Sequence, residues 1–350
     1  MTTGTIKCPN CFVPVPSGPG PTPTRGRTGP VPQAVDAPRE CPNPECRRPY
    51  PPNWLQARST CIVMAGATTA GKSIFIAVMI KQLEQLAAQR GMDVTPATPA
   101  VREVFERHYL KPLYEERGIM STTLPARDKN AYQRESLVFT LTTAHDVHHH
   151  LVIRDVAGED LQQPDEQTPE RLAFFGHADA VFFLFDPLQI PEIKAQVRTL
   201  VPEQRLGKPA KEVLATTLNL VSRGAPRFAL VISKFDTLQL LRTAPWSNDY
   251  TAIMQNAGAA FSRDPGPFAG VNEVDGRLLH EEVRSLLMMV DQGPLVASVE
   301  RAGRRGGHRF FAVSALGDPP NGEVLNARGI APFRCLGPLR WVLADTGVLA

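Results

Sequence analysis

Short apolar runs recur along the chain at residues 60–65, 137–142, 151–155, 180–185, 227–232 and 309–313, each bounded by polar or turn-forming residues. Runs of this length predict buried β-strands. Helical spacing lies between them: residues 73–86 set Ile74, Phe75, Ala77, Val78, Ile80 and Leu83 along one helix, and 278–302 repeat the pattern with Val283, Leu286, Leu287 and Val290. Residues 338–343 predict a closing helix packed on the sheet. The link between the second and third runs is too short for a crossover, which needs about a dozen residues, so those two strands are expected to be antiparallel. Long, partly helical segments separate the others, which are expected to be parallel. The predicted fold class is a three-layer α/β domain with a mostly parallel sheet and one antiparallel strand. The segments 191–223 and 278–302 are expected to thicken its core rather than form a separate domain.

The first 56 residues break this pattern, being crowded with Pro, Gly and Thr as in Val15-Pro16-Ser17-Gly18-Pro19-Gly20-Pro21, with almost no apolar periodicity. They cannot make a core of their own. Four of the six cysteines fall here as two short paired-thiol turns, Cys8-Pro9-Asn10-Cys11 and Cys41-Pro42-Asn43-Pro44-Glu45-Cys46. A tetrahedral thiolate set suits Zn²⁺, and the competing reading is two disulfides, which a reducing compartment disfavours. The expected division is therefore a four-cysteine, zinc-ribbon-like segment at 1–56 and one large domain at 57–350. Cys61 and Cys335 lie in apolar surroundings and read as core fillers.

A chain of 350 residues that is 43% hydrophobic can bury a sizeable core, and its net charge of +3 argues against nucleic acid or an acidic membrane as the main partner. Arg301, Arg304, Arg305 and Arg309 form a local basic patch that reads as solvated surface. The N-terminus lacks a signal-peptide core, no run is long enough to span a bilayer, and no lipidation motif provides a membrane anchor. A cytoplasmic protein is expected.

The chemistry begins directly after the first strand, where Gly66-Ala67-Thr68-Thr69-Ala70-Gly71-Lys72-Ser73 is a full G-x-x-x-x-G-K-S sequence opening the first helix. The glycines let the backbone approach a ligand, so that loop amides and the helix N-terminus surround a polyphosphate. Lys72 would reach the β and γ phosphates and the Ser73 hydroxyl would ligate Mg²⁺. The run 151–155 ends in Asp155-Val156-Ala157-Gly158; Asp155 would hold Mg²⁺ through water, and the Gly158 amide would bond the γ-phosphate. The run 227–232 delivers Ser233-Lys234-Phe235-Asp236, whose carboxylate can accept from guanine N1–H and the 2-amino group, which adenine cannot offer. Lys234 would lie along the base and the phosphate loop. The last run ends in Ser314-Ala315-Leu316, whose amides can reach guanine O6. GTP or GDP is the expected nucleotide.

In this order the motifs resemble those of the P-loop GTPases of the Ras-like and translation-factor-related class, over residues 57–350. The Cys ribbon, Asp186-Pro187-Leu188 after the strand at 178–185, and the Phe311–Gly317 stretch are similar to the bacterial "double-GTPase" family of conflict and signalling systems. The resemblance implies GTP hydrolysis with Mg²⁺, a protein effector or second GTPase as partner, and a switch threonine, for which Thr122 or Thr123 is the candidate. Departures from the pattern matter. Ser233 replaces the usual Asn or Thr, and Glu159 stands where a Gln commonly orients the attacking water; a carboxylate there is repelled by the γ-phosphate, so hydrolysis is expected to be slow or partner-dependent. Arg154 reads either as an arginine finger in cis or as a strand-end Arg snorkelling to solvent. His145, His148, His149 and His150 read as a solvated hairpin or as a second metal site. Two functions from different classes stay open: a slowly hydrolysing GTP switch with Lys72, Asp155, Gly158 and Glu159 at its catalytic centre, and a non-hydrolysing nucleotide-binding scaffold whose zinc ribbon binds a partner or nucleic acid. An ATP-dependent enzyme using Asp155 as its acid is disfavoured by the Ser233–Asp236 motif.

Overall fold

The computed structural model describes residues 6–15, 40–52, 54–118, 135–143, 147–164, 166–200, 210–270, 272–322 and 324–349. Seven strands form one sheet: β1 (Arg58–Gly66), β2 (Asp93–Pro96), β3 (Leu137–Thr142), β4 (Val147–Asp155), β5 (Ala180–Phe185), β6 (Arg227–Ile232) and β7 (His308–Ala312), in the order β2-β3-β4-β1-β5-β6-β7. β1 pairs in parallel with β4 and β5, and β5-β6-β7 continue in parallel, whereas β3 is antiparallel to both its neighbours. One strand therefore opposes the rest, as the short β3–β4 link demands. β5 is buried along its whole length and β1 in all but its first residue, because helices cover both faces of the sheet.

Helix α1 (Lys72–Gln89) leaves the end of β1 and buries Phe75, Ile76, Val78, Met79, Ile80, Leu83 and Leu86. The helix Ala210–Val221 packs against β1 and β5, Glu273–Met289 and Gly293–Ala302 against β7, and Gly337–Leu343 against β6. The two long inter-strand segments do thicken the core, through Val213, Leu214, Leu220, Val283, Leu286 and Leu287. No helix among the described residues is long and apolar enough to cross a membrane.

Three features depart from the expectation. β2 was not foreseen: at four residues, and with Pro96 in it, it carries no periodic signal, and a proline is tolerated because this is an edge strand. The helix α2 (Pro99–Phe105), capped by the Thr98 hydroxyl accepting from Val101 N–H at 3.2 Å, runs on as a π-helix over Glu106–Glu115 with Pro112 inside it. Of the histidine cluster, His149 and His150 depart from the solvated hairpin. β4 starts at Val147, so His149 and His150 are buried in the sheet; His149 Nε2 pairs with Thr60 Oγ1 at 2.8 Å, and His150 stacks on Trp54 with ring centroids 4.7 Å apart. His145 lies outside the described residues.

The cysteine segment folds as two small hairpins. Isolated bridges Lys7–Pro14 and Glu40–Pro49 close them, with Cys8 N–H donating to Val13 O and Cys41 N–H to Arg48 O, each at 2.9 Å. They share a miniature apolar cluster of Cys8, Val15 and Cys41, while Phe12 and Trp54 enter the main core.

Candidate functional site

The C-terminal ends of the parallel strands gather nearly all of the expected site residues. β1 ends on Gly66 at φ 146°, where an added Cβ would lie 2.5 Å from the Leu184 carbonyl oxygen of β5. Only glycine fits there. Thr69 and Gly71 follow at φ 70° and 85°, and Gly71 caps α1 in the left-handed conformation. This winding of Gly66, Ala67, Thr68, Thr69, Ala70 and Gly71 turns the chain from strand to helix in six residues and leaves the N-terminal amides of α1 facing the turn. Lys72 is buried and donates from Nζ to the carbonyls of Gly66 and Ala67 at 3.0 and 3.1 Å. Burial pulls its pKa down, against the opposing pull of the Asp155 charge.

Asp155, at the end of β4, is brought to the same place by the β1–β4 register, which sets it beside Met64. Its Oδ2 accepts from Ser73 Oγ at 3.0 Å and from Tyr109 Oη at 3.2 Å, and its Oδ1 is buried with no hydrogen-bond partner in the protein. Burial pushes this carboxyl above the usual carboxylate range, opposed by Lys72 and by the two hydrogen bonds. A hydroxyl, a carboxylate and an orphaned buried oxygen are the donor set a hard divalent cation takes, so these residues fit Mg²⁺. Gly158 opens the short helix α3 (Gly158–Gln162) directly on the phosphate loop: a Cβ there would be 2.4 Å from Thr68 N and 2.7 Å from the Ala67 carbonyl carbon. Glu159 follows as a half-buried residue in the first turn of α3. Thr122 and Thr123 lie outside the described residues.

On the other side of the loop, β6 and β7 bring their two motifs into contact. Ser314 Oγ donates to Asp236 Oδ1 at 2.6 Å and accepts from Gly317 N–H at 2.8 Å. Asp236 is buried at 5% exposure, which raises its pKa against the Ser314 hydrogen bond. Ser233 is fixed by its amide and hydroxyl, both donating to Phe185 O, at 2.9 and 3.3 Å. Ser314 N–H is engaged with Phe333 O, so the amides able to meet a base oxygen are those of Ala315 and Leu316. Lys234, at φ 49°, pairs with the buried Asp186 at 2.7 Å, a partner the motif did not foresee. Sequence reasoning missed Asp186 and Tyr109 as site residues. The Asp186-Pro187-Leu188 turn was visible without a role, and nothing in the local pattern points to Tyr109.

The four cysteines meet as well. Their sulfurs lie within 4.8 Å of one another, with Cys8–Cys46 at 3.8 Å and Cys11–Cys41 at 3.6 Å. Four thiolates around Zn²⁺ at 2.3 Å would sit about 3.8 Å apart, so the cluster has the size of a tetrahedral zinc site. The Cys8 hydrogen bond draws the Cys11 thiol down to about 5, and burial pushes Cys41 up to about 11. Among the described residues no second group of three or more such ligands occurs. Arg154 is neither finger nor snorkel: it faces this cluster, donating from Nη1 to Asn10 O at 2.5 Å with its guanidinium 4.2 Å over Phe174.

No protein-family model matches the chain. It is 44% identical over 333 residues to a Mycolicibacterium smegmatis protein described as "Putative ESX-1 scaffolding and assembly protein SaeC", covering 93% of this chain and 86% of the relative. Among solved structures it is similar to the S. cerevisiae Ski7 GTPase-like domain bound to GTP, with a TM-score of 0.36 and 9% identity, over 82% of this chain and 50% of that one.

Two outcomes are expected from this geometry. Lys72→Ala removes the cation enclosed by the loop and should weaken triphosphate binding by at least about tenfold in equilibrium titration, since it strips a charge-assisted contact from a multiply charged ligand; equal affinity would mean the loop holds no phosphate. Cys11→Ser should abolish the bound zinc measured by elemental analysis, about one ion per chain in the parent protein. Metal-free parent protein with unchanged protease resistance in residues 40–52 would refute the zinc assignment.

Proposed function

The chain belongs to the family of SaeC, and from that footing we propose that it is a guanine-nucleotide-binding assembly protein whose GTP- or GDP-bound state governs contact with a protein partner. One observation carries the nucleotide half: the buried Asp236–Ser314 pair sits at the same sheet edge as the phosphate loop and the Ser73–Asp155 pair. A carboxylate held by Ser314 through one oxygen presents the other to a base, and no such acceptor pair suits adenine. The assembly half follows from the relative's description as a scaffolding and assembly protein.

In this reading the loop amides and the N-terminus of α1 take the phosphates, and Lys72 exchanges its two carbonyl partners for phosphate oxygens. Mg²⁺, held by Ser73 and through water by Asp155, would neutralise charge on the β and γ phosphates. Gly158, packed on Thr68, sets its amide at the γ-phosphate end of the loop, so the segment that follows senses whether that phosphate is present. Turnover is slow: Glu159 offers a carboxylate where charge accumulates, and Arg154 is turned away towards the cysteine knuckle. A nucleotide that persists suits a protein that holds an assembly together longer than one that signals briefly.

Base choice tests the assignment most sharply. Asp236→Asn keeps one acceptor but sets an NH₂ against the guanine 2-amino group, donor to donor, where xanthine offers a carbonyl. Hydrogen bonds to a charged acceptor are worth about 1.5–3 kcal/mol each, so the variant should lose about two orders of magnitude in GTP affinity and shift its preference to xanthosine triphosphate. A parent protein that binds ATP as well as GTP would remove the guanine assignment. Glu159→Gln should raise the single-turnover hydrolysis rate; a fall would make the carboxylate a catalytic base, and no turnover in either form, with nucleotide bound, would leave a scaffold that does not hydrolyse.

A further inference from the structure

β4 has two faces with different attachments. Asp155 points to Ser73 and Tyr109, while its neighbour Arg154 points the other way, to the carbonyl of Asn10 inside the first cysteine turn. That carbonyl is positioned by the turn itself: Asn10 N–H lies 3.4 Å from Cys8 Sγ, and Phe12 N–H donates to Cys8 O at 2.9 Å. Phe12, immediately after Cys11, is fully buried and meets Phe174 edge to face at 5.7 Å, the same ring that Arg154 covers from 4.2 Å. Lys7, immediately before Cys8, donates from Nζ to His177 O at 2.7 Å and pairs with Asp179 at 2.5 Å; Asp179 in turn accepts from Cys61 N–H of β1 at 2.7 Å.

These contacts bracket one segment. It starts at Asp155, passes through Gly158 and Glu159, and ends in the short helix Phe174–His177. The knuckle grips the residue before its start and two residues at its end. Among the described residues the knuckle's own apolar cluster is Cys8, Val15 and Cys41, a small base from which to hold Asn10, Phe12 and Lys7 in place without metal, and structural zinc commonly supplies the folding energy of such small units.

We propose that the four-cysteine knuckle is an internal partner of the nucleotide switch, so that metal at Cys8, Cys11, Cys41 and Cys46 and the γ-phosphate at the loop bind with reciprocal coupling, carried by Arg154 as a positioning residue. This rests on the nucleotide reading above. The metal-held knuckle keeps the segment from Asp155 to His177 in the arrangement that sets Gly158 on Thr68. GTP uses that arrangement, and GDP, lacking the γ-phosphate, does not. Metal therefore strengthens GTP binding selectively, and by thermodynamic reciprocity GTP retains the metal more firmly than GDP does.

The test uses the full chain loaded with Zn²⁺ and the same chain after chelation. Removing zinc should weaken GTP by about tenfold, within the usual range of coupling between sites, leave GDP affinity unchanged, and speed amide exchange across residues 156–164 and 166–177. Zinc release to a chromogenic chelator should be slower with GTP bound than with GDP. Arg154→Met, with zinc still bound at full stoichiometry, should bind GTP as weakly as the metal-free parent and erase the difference in zinc release; this variant also supplies the comparison should chelation unfold the chain. Equal effects on GTP and GDP, no effect on either, or unchanged exchange in the bracketed segment would each overturn the proposal while leaving nucleotide binding intact. Should the protein bind neither nucleotide, the reading of the previous subsection fails and exchange alone decides the knuckle's hold: faster exchange on zinc removal sustains it, and unchanged exchange refutes it.

Discussion

Lys72 and Asp155 are buried together at the ends of β1 and β4, and the rest of the site is arranged around the cost of keeping them there. Burial moves each towards its neutral form, the amine down and the carboxyl up, and each favours the charge of the other. The protein meets part of this cost with the carbonyls of Gly66 and Ala67 on one side and the hydroxyls of Ser73 and Tyr109 on the other. It leaves Asp155 Oδ1 unmet. A polyphosphate with its divalent cation would supply what is missing to both groups at once, so that binding and local order would belong to the same free-energy balance here. The π-helical turn that carries Tyr109 is part of this arrangement, since an ordinary α-helix would place that hydroxyl elsewhere on its circumference.

How much of this was legible in the sequence depended on how local the physics was. The strand-to-helix turn at Gly66–Ser73 could be read outright, because Gly66 has no room for a side chain, Gly71 takes the left-handed conformation that glycine favours, and Lys72-Ser73 follow at fixed distance. The strands could be read because burial on both faces writes itself as continuous apolar runs, and the antiparallel β3 followed from link length alone. The Asp236–Ser314 half of the candidate site was legible only as two separate fragments; the 2.6 Å contact that joins them spans 78 positions. The partner of Lys234, Asp186, could not be read because it belongs to a neighbouring strand end that has no sequence proximity to it. Arg154 escaped both of its readings for the same reason, its acceptor being 144 residues away. β2 and Tyr109 gave no signal, one being short and proline-bearing, the other depending on an irregular helix.

The cysteine segment shows how a piece with too little core becomes ordered. Its own apolar cluster is minimal, yet Phe12 and Trp54 reach into the main core, and the indole of Trp54 donates to Lys7 O at 3.0 Å. The knuckles are thus fastened to the large domain by aromatic burial and to each other by four sulfurs. This makes the segment a buttress on the sheet rather than an independent module, although its composition suggests a loose appendage.

The strand beneath this buttress limits the tolerance of acid. Trp54 stacks on His150 beneath the knuckle, and His149 next to it gives Nε2 to Thr60 while its Nδ1 is buried without a partner. Burial holds His149 down from 6.5 to about 4. The folded chain therefore declines a proton that the unfolded chain accepts, and this histidine draws stability away as pH falls through the interval from about 6.5 to about 4. A cation forced onto Nδ1–H would find no acceptor there. Mild acidification thus loads the sheet where β4 meets β1, before it titrates an ordinary exposed carboxylate.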